Sequence, residues 1–382
     1  MKRSIDRILT THTGSLPRPP DVPLPGTAAA ASGDHATEEQ VRDVVFDTVR
    51  RQADAGVDVV NDGEVSKPSY ATYVTSRLTG FESVPAPTVQ LIEAEEFPEY
   101  FARLFEQISS AVTNPACTGP VAYRDYTEVQ RDIANLRDAA ARVDVTDVFM
   151  TAASPGVIAL FMPNQHYPTD QDYIAALADA MKEEYDAIHH AGFVLQIDCP
   201  DLAAGWPLAE AHGQTVEDFR RTIAQHIEAL NHATRDIPPE SMRMHMCWGN
   251  YEGPHHRDIP LRSVVDIVLH ARPLGFLFEG ANPRHEHEWT LFEEVDVPDG
   301  KVLIPGVLDS TNNYIEHPEL VAQRIERLAH IVGRENVMAG SDCGFATFAQ
   351  VLPVDPRITW AKLAAMAEGA RIASDRLWGT AA

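Results

Sequence analysis

The sequence is poor in cysteine and in basic residues, and it contains no long apolar run. Four cysteines in 382 residues are too few for a disulfide framework, so each is a buried apolar side chain or a reactive or metal-binding thiolate. The sequence has 31 lysines and arginines but 56 aspartates and glutamates, and the resulting net charge of −25 repels nucleic-acid backbones and anionic lipid. A membrane helix needs about 18 consecutive apolar residues, and no stretch of this sequence approaches that length. We therefore expect a soluble, cytoplasmic protein without nucleic-acid or membrane partners.

Two common groups of catalytic motifs are missing as well. The sequence has no G-x-x-x-x-G-K-[ST] and no strand-linked G-x-G-x-x-G, so it offers no support for a nucleotide-dependent activity. It also lacks G-x-S-x-G, which argues against a serine hydrolase. The composition, with 44% hydrophobic and 23% charged residues, is nevertheless typical of a globular protein.

Short β-rich segments alternate with helical patterns along most of the chain, which is typical of parallel βα units. Eight such segments are predicted strands. They cover residues 5–14, 57–64, 146–155, 193–200, 242–247, 275–281, 301–309 and 336–344. Eight strands in this pattern predict an α/β fold of the (β/α)8 TIM-barrel class, with residues 1–382 forming a single catalytic domain.

Four helices have recognisable first turns, in which a short polar side chain or a proline precedes an apolar stripe at helical spacing. We place these starts at Thr37, Thr169, Thr215 and Pro318. Between the second and third strands, residues 65–144 are more than one crossover helix needs, which predicts an inserted lid or hairpin. Residues 19–36 are rich in proline and alanine and predict a surface loop.

The chemistry of a (β/α)8 barrel lies at the C-terminal ends of its strands. Most of the predicted strands end in ionisable or metal-binding side chains. These are His12, Ser15, Asp62, Glu64, Ser154, Asp198, Cys199, His245, Cys247, Glu279, Asp309, Asp342 and Cys343. They converge on one axis only if the barrel prediction is right.

Four of these side chains suit zinc. His245 and Cys247 lie on the same side of one extended segment, while Glu279 and Cys343 end later strands. Mixed sulfur, nitrogen and oxygen ligands select zinc over magnesium or calcium, and their wide spacing predicts a catalytic site rather than a zinc finger. Such a site lowers the pKa of a substrate thiol, which indicates thiol alkylation. The alternative is a core histidine beside a buried cysteine.

Other histidines carry no predicted chemistry. His255, His256, His285 and His287 lie in polar loops and are interpreted as solvated side chains.

Around these residues the sequence resembles the cobalamin-independent methionine synthases, specifically their catalytic C-terminal barrel. The matching segments span nearly the whole chain. They are TTHTGSLPRP (10–19), VVNDGE (59–64), LQIDCP (195–200), MHMCWGN (244–250), FEGAN (278–282), IPGVLDS (304–310) and AGSDCGFATF (339–348). The combination of H-x-C, a strand-end glutamate and a late D-C-G is specific, whereas each alone is weak.

The resemblance implies a zinc ion held by four side chains, those of His245, Cys247, Glu279 and Cys343. It also implies that Glu64 and Asp198 hold the amino group of the thiol substrate, and that Ser15 with neighbouring backbone holds its carboxylate. In the family, homocysteine is methylated from a methyl-tetrahydrofolate and becomes methionine without cobalamin. The expected partners are therefore a small-molecule thiol and a methyl donor, and the sequence leaves the oligomeric state open, a homo-oligomer included.

The sequence departs from the family pattern at three points. The resemblance does not extend to the second, N-terminal barrel of the long methionine synthases. The family's I-D-E-P reads Ile197-Asp198-Cys199-Pro200, which replaces a carboxylate by a third sulfur. A histidine that follows the family's GVYD-like motif is Thr311 here, so the leaving group is open.

A short relative, the epoxyalkane coenzyme M transferase, also uses zinc and lacks the N-terminal barrel. Its acceptor carries a sulfonate, which calls for a cation such as Arg18 or Lys67 near the tail of the thiol. Either cation is otherwise an ordinary surface charge. This alkyl transfer is the second hypothesis, and a non-catalytic small-molecule binding barrel is the third.

Overall fold

The computed structural model describes residues 1–25, 27, 30, 33–84, 91–109, 115–348 and 352–379. Within them, the strands are β1 (Val59–Val60), β2 (Phe81–Ser83), β3 (Pro115–Cys117), β4 (Asp147–Ala153), β5 (Val194–Asp198), β6 (Met242–Met246), β7 (Gly275–Phe278), β8 (Val302–Leu308) and β9 (Gly340–Ser341). The helices are α1 (Glu38–Asp54), α2 (Val74–Arg77), α3 (Ile92–Glu96), α4 (Pro98–Ser109), α5 (Thr127–Ala140), α6 (Pro155–Phe161), α7 (Asp170–His190), α8 (Trp206–Ala211), α9 (Val216–Ala233), α10 (Val265–Val268), α11 (Pro318–Val332) and α12 (Pro356–Trp378). Short 3-10 turns cover Pro200–Leu202, Pro239–Ser241, Leu261–Ser263, Glu286–Glu293 and Arg334–Asn336.

Seven of these strands form one curled parallel sheet in the order β1-β4-β5-β6-β7-β8-β9. The inner strands are buried on both faces, as expected for parallel strands that are covered by helices. The register pairs Ala153 with Asp198 and Asp198 with His245, so the C-terminal ends of three successive strands lie side by side.

The first predicted strand, 5–14, does not appear as a regular strand, yet its backbone closes the ring. Ala339 N–H donates to Leu9 O at 2.9 Å, and Thr11 N–H donates to Ala339 O at 2.8 Å. On the other side, the N–H groups of Asp58 and Val59 donate to Thr10 O. The predicted TIM barrel is therefore confirmed, with a bridging segment in place of one strand.

The predicted helix starts are also confirmed. Thr37 and Thr215 accept hydrogen bonds from the backbone of the third residue of α1 and α9, and both form capping boxes. Thr169 caps α7, and Pro318 is the first residue of α11. These starts depend on short-range contacts, which the sequence pattern contains in full.

A hairpin-like insertion follows β1. β2 and β3 pair in antiparallel fashion, and α3 and α4 lie between them along the chain. α5 packs against α1 and α7, as the helix of an ordinary βα unit does. The division of the chain into domains stays a prediction.

The predicted surface loop 19–36 is only partly exposed. Asp34 and His35 are exposed, whereas Leu24 is fully buried and belongs to the main core. Residues 26, 28, 29, 31 and 32 of this loop lie outside the described part of the chain. Among the described residues, no helix combines the length and the apolar composition that crossing a membrane requires.

Candidate active site

Three predicted zinc ligands meet at the C-terminal ends of the strands. His245 lies in β6, Cys247 follows it, and Cys343 follows β9. Their potential ligand atoms lie within 4.8 Å of one another, and all three residues are buried. The Sγ atoms of the two cysteines are 3.9 Å apart, and both thiols are free. One imidazole and two thiolates are a donor set that zinc prefers, so the residues fit this ion.

His245 is oriented by two acceptors. One ring nitrogen, Nε2, lies 3.2 Å from Asp342 O, and the other, Nδ1, lies 3.6 Å from Asp198 Oδ1. Burial opposes the cationic form, but Asp198 and the neighbouring Cys247 raise the pKa of His245 to about 9. A carboxylate beside a ligating imidazole holds its ring in place, as is common in metal sites.

The thiols of Cys247 and Cys343 differ in the direction of their pKa shifts. The hydrogen bond with Cys343 lowers the pKa of Cys247 to about 7, and the cationic His245 acts in the same direction against the effect of burial. The same contact with Cys247, together with burial, raises the pKa of Cys343. A single thiolate is thus stabilised in the metal-free protein, and a divalent cation would stabilise the second by displacing protons.

Glu279, the fourth predicted ligand, does not belong to this group of three. Its Oε1 accepts a hydrogen bond from Trp248 N–H at 2.8 Å, and its Oε2 accepts one from Asn282 Nδ2 at 2.6 Å. Burial, then Cys247 and Asp342, raise the pKa of Glu279 to about 8. Two donors therefore hold the carboxyl group apart from the sulfur atoms.

The two carboxylates predicted to bind an amine, Glu64 and Asp198, line one narrow cavity with the three zinc-ligand candidates. This cavity, which we call the thiol pocket, has a volume of about 40 Å³ and is also lined by Ser15. The barrel therefore brings together residues that lie up to 328 positions apart.

Glu64 is held tightly in the thiol pocket. Its φ is 57°, an unfavourable value for a residue other than glycine, and Thr151 Oγ1 donates to its Oε1 at 2.9 Å. Burial, opposed by Lys67 and aided by Asp198, raises the pKa of Glu64 to about 7. Gly14 passes so close that an added Cβ would lie 2.5 Å from Glu64 Oε1.

Ser15 is placed by the loop after Cys343. Ser15 O accepts from Phe345 N–H at 2.9 Å, and Ser15 Oγ accepts from Ala346 N–H at 3.3 Å. A Cβ at Gly344 would lie only 2.1 Å from Ser15 Oγ. Glycine at 344 therefore permits the close contact between the first and last segments of the barrel.

The two cations considered for a sulfonate tail, Arg18 and Lys67, do not line the thiol pocket. Arg18 donates to the backbone carbonyls of Glu64, Val65 and Lys67, and its Nη1 has no partner among the described residues. Lys67 Nζ donates to Thr151 O at 2.6 Å and to Thr151 Oγ1 at 3.0 Å. Both cations thus hold the segment that carries Glu64.

A second, larger cavity of about 390 Å³ adjoins the thiol pocket, since Asn250 and Cys343 line both. Glu279, Asp309, Thr311 and Asp342 line it, and it shares Cys343 with the thiol pocket. Thr311 donates through N–H and Oγ1 to Asp309 Oδ1, so the residue in the place of the family's histidine is engaged in a turn.

The interpretation of His285 as a solvated loop residue is wrong. His285 is buried, lies between Asp258 and Glu288, and stacks on Trp248 with ring centroids 3.9 Å apart. Asp258 also contacts His255, which is half-buried. Long-range contacts that the loop pattern does not contain bury this network.

For three further residues, the sequence did not predict the relation to the thiol pocket. Cys199, the third sulfur beside Asp198, is buried in the main core and does not line the thiol pocket. Tyr70 and Phe348, which do line it, had no predicted role. Their rings meet at 6.0 Å, and only Phe348 lies in a segment that carries the family resemblance.

Comparisons with known proteins identify the family of the chain. The sequence matches the family described as "Cobalamin-independent synthase, Catalytic domain" over residues 8–370. A protein named methionine synthase from Saccharolobus islandicus (strain L.S.2.15 / Lassen #1) is 24% identical over 376 residues, which cover 96% of this chain and 95% of the relative. An uncharacterized protein of Bacillus subtilis (strain 168) is 24% identical over 368 residues, covering 92% and 91%.

Among solved structures, the chain is similar to a B12-independent methionine synthase from Shewanella sp. W3-18-1 in complex with selenomethionine. The TM-score is 0.73 with 18% sequence identity, and the match covers 98% of this chain and 100% of the other. At this identity the likeness establishes the fold.

Proposed function

Since the chain belongs to the cobalamin-independent synthase family, we propose that it is a zinc-dependent methyltransferase that methylates a homocysteine-like thiol to methionine. The methyl donor is of the methyl-tetrahydrofolate type. The observation that carries the proposal is the buried group of His245, Cys247 and Cys343 in the same pocket as Glu64 and Asp198.

His245, Cys247 and Cys343 would hold the zinc ion, which lowers the pKa of a bound thiol so that thiolate predominates near neutral pH. Glu279 lies beside this group and lines the larger cavity. We place it as a further ligand, which would bind the ion after giving up its hydrogen bonds from Trp248 and Asn282. The two sulfur ligands lie 96 residues apart along the chain, which makes metal retention a test of the assembled barrel.

The remaining polar groups bind the amino-acid part of the substrate. Glu64 and Asp198 accept hydrogen bonds from its ammonium group, while Ser15 and the adjacent backbone receive its carboxylate. No lysine or arginine lies among the described residues that line this pocket, a composition that favours an ammonium over a sulfonate-bearing thiol.

In the transfer, the sulfur electron pair forms a bond to the methyl carbon while the bond from that carbon to the donor nitrogen breaks. The nitrogen retains the bonding pair and takes up a proton. The larger cavity, which meets the thiol pocket at Cys343, has room for the donor. In its lining, Thr311 stands in the place of the family's histidine, and the carboxylate of Asp309 accepts hydrogen bonds from Thr311.

The experiment is calorimetric titration of the zinc-loaded protein with homocysteine and, separately, with coenzyme M, in two buffers of different ionisation heat. We expect binding and proton release with homocysteine alone. Release with coenzyme M alone would favour transfer to a sulfonate-bearing thiol, and binding of neither would refute both.

Two cysteine variants provide the matched comparison. Cys247→Ser should lose zinc and proton release together. Cys117→Ser alters a buried cysteine in β3, outside the candidate site, and should retain both. Unchanged homocysteine binding by zinc-free Cys247→Ser would contradict the proposed metal role.

A further inference from the structure

A fully buried arginine lies directly beneath the thiol pocket. Arg243, in β6, has no exposed surface, and its guanidinium carbon lies 3.6 Å from the centroid of the Phe149 ring. Among the described residues no ion pair joins Arg243 to a carboxylate within 4.0 Å. Its three hydrogen bonds go instead to Gln196 Oε1 at 2.9 Å, Thr11 Oγ1 at 2.8 Å and His12 O at 3.0 Å.

Arg243 and the backbone carbonyl of Thr13 together fix which way the amide of Gln196 points. Arginine offers only hydrogen-bond donors, so the Gln196 oxygen has to face Arg243 and its amino group has to face away. That amino group donates to Asp198 Oδ1 at 2.8 Å and also to Thr13 O. The contacts below the pocket therefore hold the Gln196 amide with its amino group toward Asp198.

Asp198 is left with one engaged oxygen and one available oxygen. Oδ1 receives the Gln196 hydrogen bond and lies 3.6 Å from His245 Nδ1. Oδ2 has no hydrogen-bond partner among the described residues, and Asp198 lines the thiol pocket. A carboxylate fixed at one oxygen and open at the other is arranged to accept a hydrogen bond from a ligand.

We propose that Arg243 and Gln196 are positioning residues that hold Asp198 ready for the ammonium group of the thiol substrate. The inference rests on the proposed function, since it requires a substrate that carries an amino group. It adds a specificity determinant that acts through Asp198 and does not touch the substrate. Without Arg243, the Gln196 oxygen loses its donor, and the side chain is free to move its amino group away from Asp198.

The direct test is Gln196→Glu. This change leaves an acceptor for Arg243 but replaces the amino group that faces Asp198 by a carboxylate oxygen, which cannot donate. The probes are homocysteine and 4-mercaptobutanoate, which has the same thiol and carboxylate but no amino group. We expect the affinity for homocysteine to fall by roughly tenfold or more, while the affinity for 4-mercaptobutanoate changes by less than about twofold.

Arg243→Met is the second variant and should lower the same affinity ratio. Because it leaves three buried acceptors without a donor, its folding is checked by thermal melting. Lys301→Met is the control, since Lys301 is another buried cation that donates only to backbone, at Ala271 O and Pro273 O, and has no link to Asp198. It should lower stability but leave the ratio of the two affinities unchanged.

The outcomes separate this inference from the proposed function. If the zinc-loaded wild type binds neither thiol, the proposed function fails. If the wild type prefers homocysteine and folded, zinc-loaded Gln196→Glu keeps that preference, the positioning role is refuted while the function stands. An equal loss for both thiols would also refute it, because a general distortion of the pocket moves both affinities together.

Discussion

The Sγ atoms of Cys247 and Cys343 lie 3.9 Å apart, although 96 residues separate the two cysteines along the chain. In the sheet, β7 and β8 separate β6 from β9, but the curl of the parallel strands brings the ends of both to the same mouth of the barrel, where the two sulfurs meet. Every prediction about the candidate metal centre depends on that relationship.

The first prediction concerns the unequal status of the four zinc-ligand candidates. Glu279→Gln should retain zinc, with an affinity loss of no more than about 10–100-fold, because Glu279 stands apart from the other three and accepts two other hydrogen bonds. Cys343→Ser should lose the metal. Metal content after dialysis against a competing chelator measures the difference. Loss of zinc from both variants would place Glu279 among the essential ligands.

The second prediction concerns the pH dependence of amine binding. Burial raises the pKa of Glu64 to about 7, so Glu64 is protonated below this value and cannot accept the ammonium group as a carboxylate. Homocysteine affinity should therefore fall from pH 8 to pH 6 more steeply than that of 4-mercaptobutanoate. Glu64→Gln should abolish the difference between the two profiles. Parallel profiles in the wild type would remove Glu64 from amine recognition.

The same raised pKa has a consequence for stability. The folded protein holds this proton more tightly than the unfolded chain, so the stabilisation is present at low pH and is lost as the pH rises through about 7. Glu64→Gln cannot ionise, and its melting temperature relative to wild type should be higher at pH 8 than at pH 5. Thermal melts at the two pH values measure this, and a difference that does not change with pH would contradict it.

Removal of Lys67 should shift the Glu64 titration. The Lys67 ammonium lowers the pKa of Glu64 against burial, and it also donates to the Thr151 hydroxyl that bonds Glu64. Lys67→Met should therefore move the midpoint of the homocysteine pH profile upward. A Lys301→Met variant provides the comparison, because Lys301 is also a buried lysine but donates to the carbonyls of Ala271 and Pro273. A downward shift in Lys67→Met would contradict the assigned contact.

The fifth prediction concerns the close contact between Gly344 and Ser15. Gly344→Ala should destabilise the protein by about 1–3 kcal/mol, since its Cβ would lie 2.1 Å from Ser15 Oγ. Ser15→Ala removes that oxygen and should make the same glycine replacement less costly. A double-mutant cycle by denaturant unfolding measures the coupling between the two sites. If the two changes in the free energy of unfolding were strictly additive, the contact would not be the cause of the destabilisation.

Local features were predictable because the interactions behind them lie within a few residues. The capping boxes at Thr37 and Thr215 are complete in the sequence, and the alternation of an extended strand is enough to place His245 and Cys247 on one side. The βα alternation likewise predicts the barrel, because parallel strands need crossover helices. The barrel prediction identified the strand ends to examine, and the family resemblance then implied roles for the residues there.

The tertiary structure decided which partners the charged side chains hydrogen-bond. Arg18 and Lys67 were candidates for a substrate anion, but nearby carbonyls of the folded chain satisfy them first. Glu279 is held by Trp248 and Asn282, and His285 is buried between two carboxylates. The sequence by itself determined four helix starts, the barrel and the chemical types at its mouth, since those follow from local capping patterns and periodicity. Which of those groups face the pocket depended on competition among partners far apart in the chain, and only the closed barrel brings those partners within reach.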